Sequence, residues 1–173
     1  MQVLQTDRLT LRRLTLDDAP FVLQLVNEPS WLRFIGDKNV RNLDDARHYL
    51  RSGPLDMYAR LGFGLFLVEL KDSCTAIGTC GLIKRDTLPD VDVGYALLPE
   101  HWRKGYAYEA VSAVLDYAQR THGLQRVLAI TSVDNDRSIR VLEKVGMKFE
   151  RLLQLSETNE VRLFSRQLST PQG

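Results

Sequence analysis

Apolar residues along the chain recur first at every second position, then at every third or fourth, and each change of period marks an element. Residues 8–14 (Arg8-Leu9-Thr10-Leu11-Arg12-Arg13-Leu14) alternate weakly and predict a first strand. Thr15 with Asp18 three residues later resembles a capping box. Ala19, Val22, Leu25 and Val26 then share one helical face, which predicts a helix over 16–27. A loop carrying Trp31, Phe34 and Ile35 leads to a second helix at 43–52, ended by Gly53-Pro54. Strands are predicted at 63–70, 75–83 and 92–98, the last stopped by Pro99. A long amphipathic helix follows, with Ala107, Ala110, Val111, Val114, Leu115 and Ala118 on one side and Gly123 as its cap. A strand at 126–132, a short helix carrying Ile139, Leu142 and Val145 before Gly146, and two strands at 147–155 and 160–168 close the chain. The order β α α β β β α β α β β predicts a mixed sheet with helices on both faces, a mixed α+β fold.

Composition narrows this without redirecting it. No repeat, linker or low-complexity segment divides the 173 residues, so residues 1–173 are expected to form one domain. Lysine and arginine number 23 against 22 acidic residues, and a net charge of +1 gives no reason to expect nucleic acid or a membrane as partner. Cys74 and Cys80 lack the spacing of a metal site or redox pair, and two buried, reduced thiols are expected. The three histidines have no metal-binding spacing either, so no metal is expected. No apolar run reaches membrane-spanning length and the amino terminus lacks signal-peptide features, which predicts a cytoplasmic protein.

The chemistry concentrates in the stretch from Gly94 to Ala110. A strand runs into the basic turn Trp102-Arg103-Lys104-Gly105-Tyr106-Ala107, and the turn opens the long helix. A helix amino terminus leaves backbone N–H groups unpaired and carries partial positive charge, so it binds phosphate readily. Arg103 and Lys104 add full charges, Gly105 lets the backbone approach a bulky anion, and Ala107 keeps the first turn free of bulk. Neither a Gly-x-x-x-x-Gly-Lys-Ser/Thr loop nor a Gly-x-Gly-x-x-Gly turn occurs.

This segment resembles the acetyl-coenzyme A signature of the GNAT superfamily, Gln/Arg-x-x-Gly-x-Gly/Ala. Tryptophan at its first position, with the Gly-Tyr-Ala core and Glu109-Ala110, is similar to the RimJ/RimL-like branch that acetylates the amino termini of ribosomal proteins. Ile77-Gly78-Thr79-Cys80-Gly81-Leu82 resembles that branch's third strand. Asn135-Asp136-Arg137-Ser138 with Glu143-Lys144-Val145-Gly146-Met147 resembles its late helix and Gly-Phe turn, Met147 replacing phenylalanine. The resemblance covers nearly the whole chain. It implies a central, mostly antiparallel sheet of about seven strands and acetyl-CoA as cosubstrate.

The resemblance also implies roles. Tyr95, Ala96, Leu97 and Leu98 should splay from the neighbouring strand and pair with the pantetheine arm, one backbone N–H serving as oxyanion donor. Arg103, Lys104, Gly105, Tyr106 and Ala107 should hold the pyrophosphate. Asn135 and Ser138 match positions that face the pantetheine or the sulfur, Ser138 standing near the reacting atoms. A tyrosine acid found in many relatives is replaced by Leu142, and a glutamate in the strand before Asn135 is missing from Leu128-Ala129-Ile130-Thr131. Asp92 is then the best carboxylate base. Glu109 reads as a helix-surface or dipole partner.

The acceptor is expected to be an amine, with Trp31 and Phe34 bordering its site. Freeing a lysine of pKa about 10.4 of its proton at neutral pH costs more than about 4 kcal/mol, against about 1 for an α-amine. A site without a strong base therefore favours α-amines, such as a protein amino terminus. A small molecule (polyamine, aminoglycoside or amino acid) is the second reading, and a non-catalytic acyl-CoA-binding module the third. A homodimer is left open.

Overall fold

Eight strands, β1 (Gln2–Gln5), β2 (Leu9–Arg13), β3 (Leu65–Leu70), β4 (Ala76–Ile83), β5 (Asp92–Leu97), β6 (Arg126–Ser132), β7 (Lys148–Ser156) and β8 (Asn159–Gln167), form one sheet. Its order is β1-β2-β3-β4-β5-β6-β8-β7 in a computed structural model that describes residues 2–168. The ends of the expected 1–173 domain lie outside the described residues. Every neighbouring pair is antiparallel except β5 and β6, which are parallel. Six helices complete the fold: α1 (Ala19–Val26), α2 (Pro29–Phe34), α3 (Leu43–Ser52), α4 (Pro54–Leu61), α5 (Tyr106–His122) and α6 (Asp136–Lys144).

The two faces of the sheet bury different helices, as strand alternation demands. Phe66 and Val68 of β3 pack with Leu9 and Leu11 of β2 against Val111, Val114 and Leu115 of α5. Leu67, between them, faces the other way and packs with Val22 and Leu25 of α1 and Leu50 of α3. Each fully buried leucine or valine contributes about 1.5–3 kcal/mol, so these two cores fix both helical layers.

Three differences from the sequence expectation have physical causes. The sheet has eight strands rather than seven because Gln2–Gln5 adds an edge strand against β2, where neither Val3 nor Leu4 is deeply buried and no alternation announces it. Pro54 ends α3 but also opens α4, since proline at a first helical position loses no needed N–H. Residues 29–34, expected as loop, form the short helix α2, again opened by a proline. Cys80 is buried as expected, but Cys74 is exposed with φ at +58° in the turn before β4. Caps read from sequence are present: Thr15 and Asp18 form the capping box, and Gly146 and Met147 close α6 with N–H bonds to Glu143 and Leu142.

Candidate active site

Strands β5 and β6 begin as neighbours and then part. They share one pairing, Asp92 with Leu128, beside a bond from the Leu128 N–H to the Val91 carbonyl at 2.9 Å. Beyond it β5 stays with β4, from Asp92 opposite Ile83 to Leu97 opposite Gly78. Gly78 permits that approach, because a Cβ there would lie 2.1 Å from the Ala96 carbonyl oxygen. The Leu98 N–H bonds the Ile77 carbonyl at 2.9 Å, so alternation turns the backbone groups of Tyr95 and Leu97 away from β4, into the gap.

The turn after β5 meets this gap. Arg103 and Gly105 both take positive φ, +63° and +83°. The first helical bond of α5 runs from the Glu109 N–H to the Gly105 carbonyl at 3.1 Å, which leaves the N–H groups of Tyr106, Ala107 and Tyr108 without intrahelical acceptors. Trp102 donates its indole N–H to the Leu97 carbonyl at 2.9 Å, and the Arg137 guanidinium lies 3.7 Å above its ring.

The back of the turn is anchored to the amino-terminal strands. Glu109 accepts from the Thr6 hydroxyl, from the Arg8 N–H at 3.0 Å and from Arg8 Nε at 2.8 Å. Arg8 also donates to the Lys104 carbonyl at 2.8 Å and lies 4.4 Å over the Tyr106 ring. Burial works to raise the Glu109 carboxyl, but the bonds from Thr6 and Arg8 win and hold it below the usual carboxylate range.

A cleft of about 320 Å³ runs along the turn, the gap and α6. Arg103, Arg137, Arg140 and Lys144 line it, which makes it cationic there. Asn135 caps α6, its side chain accepting the Ser138 N–H at 3.3 Å, and both residues face the cleft. Glu28 Oε2 and Trp31 Nε1, from the start of α2, are buried without hydrogen-bond partners, and their residues border the same cleft.

A second cavity, of about 380 Å³, opens on the other side of the gap. Tyr95, Ala96, Thr131, Ser138, Trp31 and Phe34 line both cavities, so the two meet there. Burial raises the Tyr95 phenol, with the Ser138 hydroxyl offsetting part of the rise. At the far end sits Asp92, 1% exposed, its two oxygens 3.1 and 3.3 Å from Arg85 Nε. Burial raises the Asp92 carboxyl above its usual range, and the Arg85 charge offsets only part of that.

A parallel pair that splays beside a helix terminus with unpaired N–H groups occurs in more than one kind of protein, and the whole sequence decides between them. Residues 8–148 match the family described as acetyltransferase (GNAT) domain. The chain is a GNAT acetyltransferase. It is 31% identical over 152 residues to the uncharacterized N-acetyltransferase YoaA of Bacillus subtilis (strain 168), covering 87% of this chain and 85% of that protein. An acetyltransferase from Agrobacterium tumefaciens superposes with a TM-score of 0.82 at 24% identity, covering 97% and 95% of the two chains. RimL, a ribosomal α-N-protein acetyltransferase solved in complex with coenzyme A, superposes with a TM-score of 0.83 at 17% identity, covering 97% and 98%.

Within this GNAT fold most of the residues singled out from sequence come together. Tyr95, Ala96, Leu97, Arg103, Gly105, Tyr106, Ala107, Asn135 and Ser138 line the first cleft. Two do not. Leu98 is buried against the α1–α3 core, and Lys104 turns its carbonyl to Arg8 while its residue lies outside the cleft lining. Trp31 and Phe34 border both cavities, and Asp92 lies in the second only. Sequence reasoning missed Arg8, Arg140, Lys144, Lys38 and Arg85. The spacing of Arg137, Arg140 and Lys144 on one helix face was a usable signal. Nothing local marks Arg8 or Lys38, which reach the site from distant segments, whereas Arg85 lies in the β4–β5 loop seven residues before Asp92.

Proposed function

We propose that this GNAT protein transfers the acetyl group of acetyl-CoA to a primary amine bound in the second cavity. The observation that carries the reading is the gap between β5 and β6, which joins an anion-binding helix terminus to a cavity holding a buried carboxylate. The site fits acetyl-CoA on its own terms. Gly105 holds the left-handed φ of +83° that favours glycine, and the N–H groups of Tyr106, Ala107 and Tyr108, without helical acceptors, would meet the pyrophosphate. Arg103, Arg137, Arg140 and Lys144 supply the countercharge. The Tyr95 and Leu97 backbone groups would pair with the amides of the pantetheine arm, and a backbone N–H of β5 would stabilise the oxyanion.

Bound acetyl-CoA supplies a thioester with a good leaving group. The acceptor nitrogen forms the new C–N bond as the C–S bond breaks, and the proton it sheds goes to Asp92 directly or through water. Ser138 lines both cavities with Tyr95 and would stand near the sulfur and the amine.

The acceptor is an amine of low pKa, from a protein amino terminus, as the name of RimL describes for that protein, or from a small molecule. The second cavity, of about 380 Å³, is large enough for a small molecule or for the end of a peptide. An acceptor screen with free-thiol detection tests the reading: thiol release that depends on both acetyl-CoA and an added amine is expected. Tight CoA binding with no amine-dependent release across peptides, polyamines, aminoglycosides and amino acids would overturn it.

A further inference from the structure

We propose that the acceptor is a small amine that also carries an anionic group, a carboxylate or a phosphate, held by Lys38 and Arg85. The proposal rests on the second cavity being the acceptor site.

The argument begins with the charges that line this cavity. They are Lys38, Arg85 and Asp92, with the phenols Tyr49 and Tyr95, so Asp92 is the sole carboxylate among the described lining residues. That carboxylate is already committed. Both its oxygens face Arg85 Nε, at 3.1 and 3.3 Å. A guanidinium carries five N–H donors in a planar fork. Arg85 bonds Asp92 through Nε, and the Lys38 ammonium makes no ion pair among the described residues.

Two cations therefore share a cavity with aromatic and aliphatic walls, Trp31, Phe34, Tyr49, Ile35 and Met57 among them, and only one is neutralised. Lys38 stands at the exposed rim of the cavity, where partial burial and repulsion from Arg85 both push its pKa down. An arriving anion removes the repulsion and gains charge-assisted bonds from both groups. A polycation adds to the repulsion instead. Tyr95 and Ser138 line both cavities whereas Lys38 and Arg85 line the second only, so an acceptor that spans this cavity would set its amine toward the gap and its anionic end toward Lys38 and Arg85. The arrangement selects against polyamines and aminoglycosides and for compact amines with one negative group on an apolar frame.

The test separates binding from turnover. The full-length protein is saturated with coenzyme A and titrated by calorimetry with matched amines: 4-(aminomethyl)benzoate against its amide, aminoethyl phosphate against ethanolamine, and spermidine. At least one anionic member should bind about tenfold tighter than its neutral partner, the size of one charge-assisted contact, and spermidine weakest. Which pair shows the larger ratio assigns carboxylate or phosphate. In Lys38→Gln the ratio should fall at least threefold, with coenzyme A affinity measured alongside as the check on folding. Equal affinities within both pairs, tighter spermidine, or a ratio that Lys38→Gln leaves intact overturns the proposal. Thiol release is scored separately on the same amines. Anion-selective binding without release would remove the acetyl-transfer reading and leave the anion site standing, while release with neutral or cationic amines preferred would do the reverse.

Discussion

The indole N–H of Trp102 donates to the Leu97 carbonyl at 2.9 Å, tying the turn before α5 to the end of β5. Leu97 is one of the two residues whose backbone groups enter the gap, so this bond satisfies one polar group there and leaves its neighbours for a ligand. Trp102→Phe keeps the stacking surface for Arg137 but orphans that carbonyl. Loss of about 1 kcal/mol of stability in urea unfolding is expected, with weaker coenzyme A binding by calorimetry. Unchanged stability and affinity would show the bond to be incidental.

Gly105 opens α5 with φ at +83°, and a Cβ there would stand 3.1 Å from the Arg8 guanidinium. Gly105→Val suffers both a left-handed backbone closed to β-branched residues and a displaced anchor. Coenzyme A affinity should fall by at least about tenfold, corresponding to roughly 1.4 kcal/mol. An unchanged affinity would move the pyrophosphate site elsewhere.

Glu109 binds Thr6 and Arg8 across a contact that joins the first helical turn of α5 to the amino-terminal strands. Its carboxyl is held low, so its stabilisation is fully present above the unfolded-state value of about 4.3 and is lost as pH falls through the lower folded-state value. Glu109→Gln should therefore lower the Tm at pH 7, and the difference from the parent protein should narrow steadily below about pH 4. A gap between the two melting curves that holds constant down to acid pH would refute the assignment.

How much of this was legible in the sequence depends on how local the cause is. The phosphate turn was readable because its features, glycine, basic residues and a helix start, are consecutive. Strand 126–132 and the capping box of Thr15 and Asp18 were readable for the same reason. The anchor of that turn was not, since Arg8 meets Lys104 and Glu109 only through the pairing of β2 with β3 and the packing of α5 on the sheet. Lys38 likewise sits in a loop that only the fold brings to the second cavity, while Arg85 reaches Asp92 through the pairing of β4 with β5. Edge strand β1 stayed hidden because a partly exposed strand buries too little to impose alternation.

Amine choice follows from Asp92 being the sole carboxylate among the described residues that line the second cavity. Leu142 is buried in the wall of the second cavity, and Ile130 and Thr131 line it without a carboxylate. In matched peptides at pH 7, an α-amine should be acetylated at least about tenfold faster than a lysine side chain, given the difference of more than about 2 pKa units between them. A preference for lysine would mean a stronger base than Asp92 acts in this site.

Asp92 itself provides the sharpest test of the chemistry. It is almost fully buried, lines the acceptor cavity, and sits where β5 leaves β6. Burial raises its carboxyl despite Arg85, which makes the ionised form a better proton acceptor than an exposed aspartate. A positioned general base contributes about 10² to 10⁴ in rate, so Asp92→Asn should lower kcat by at least the smaller factor. Coenzyme A affinity should stay near that of the parent protein, because Asp92 lies in the second cavity and away from the turn that holds the pyrophosphate. The deficit should shrink as pH rises and free amine becomes abundant without a base. The substitution also leaves Arg85 without its carboxylate, and Asp92→Glu controls for that by keeping the charge while moving the base. Partial recovery of kcat in Asp92→Glu is expected if proton transfer is at stake. Near-normal turnover of Asp92→Asn at pH 7 would instead leave acetyl transfer to positioning and the oxyanion donor, with bulk water taking the proton.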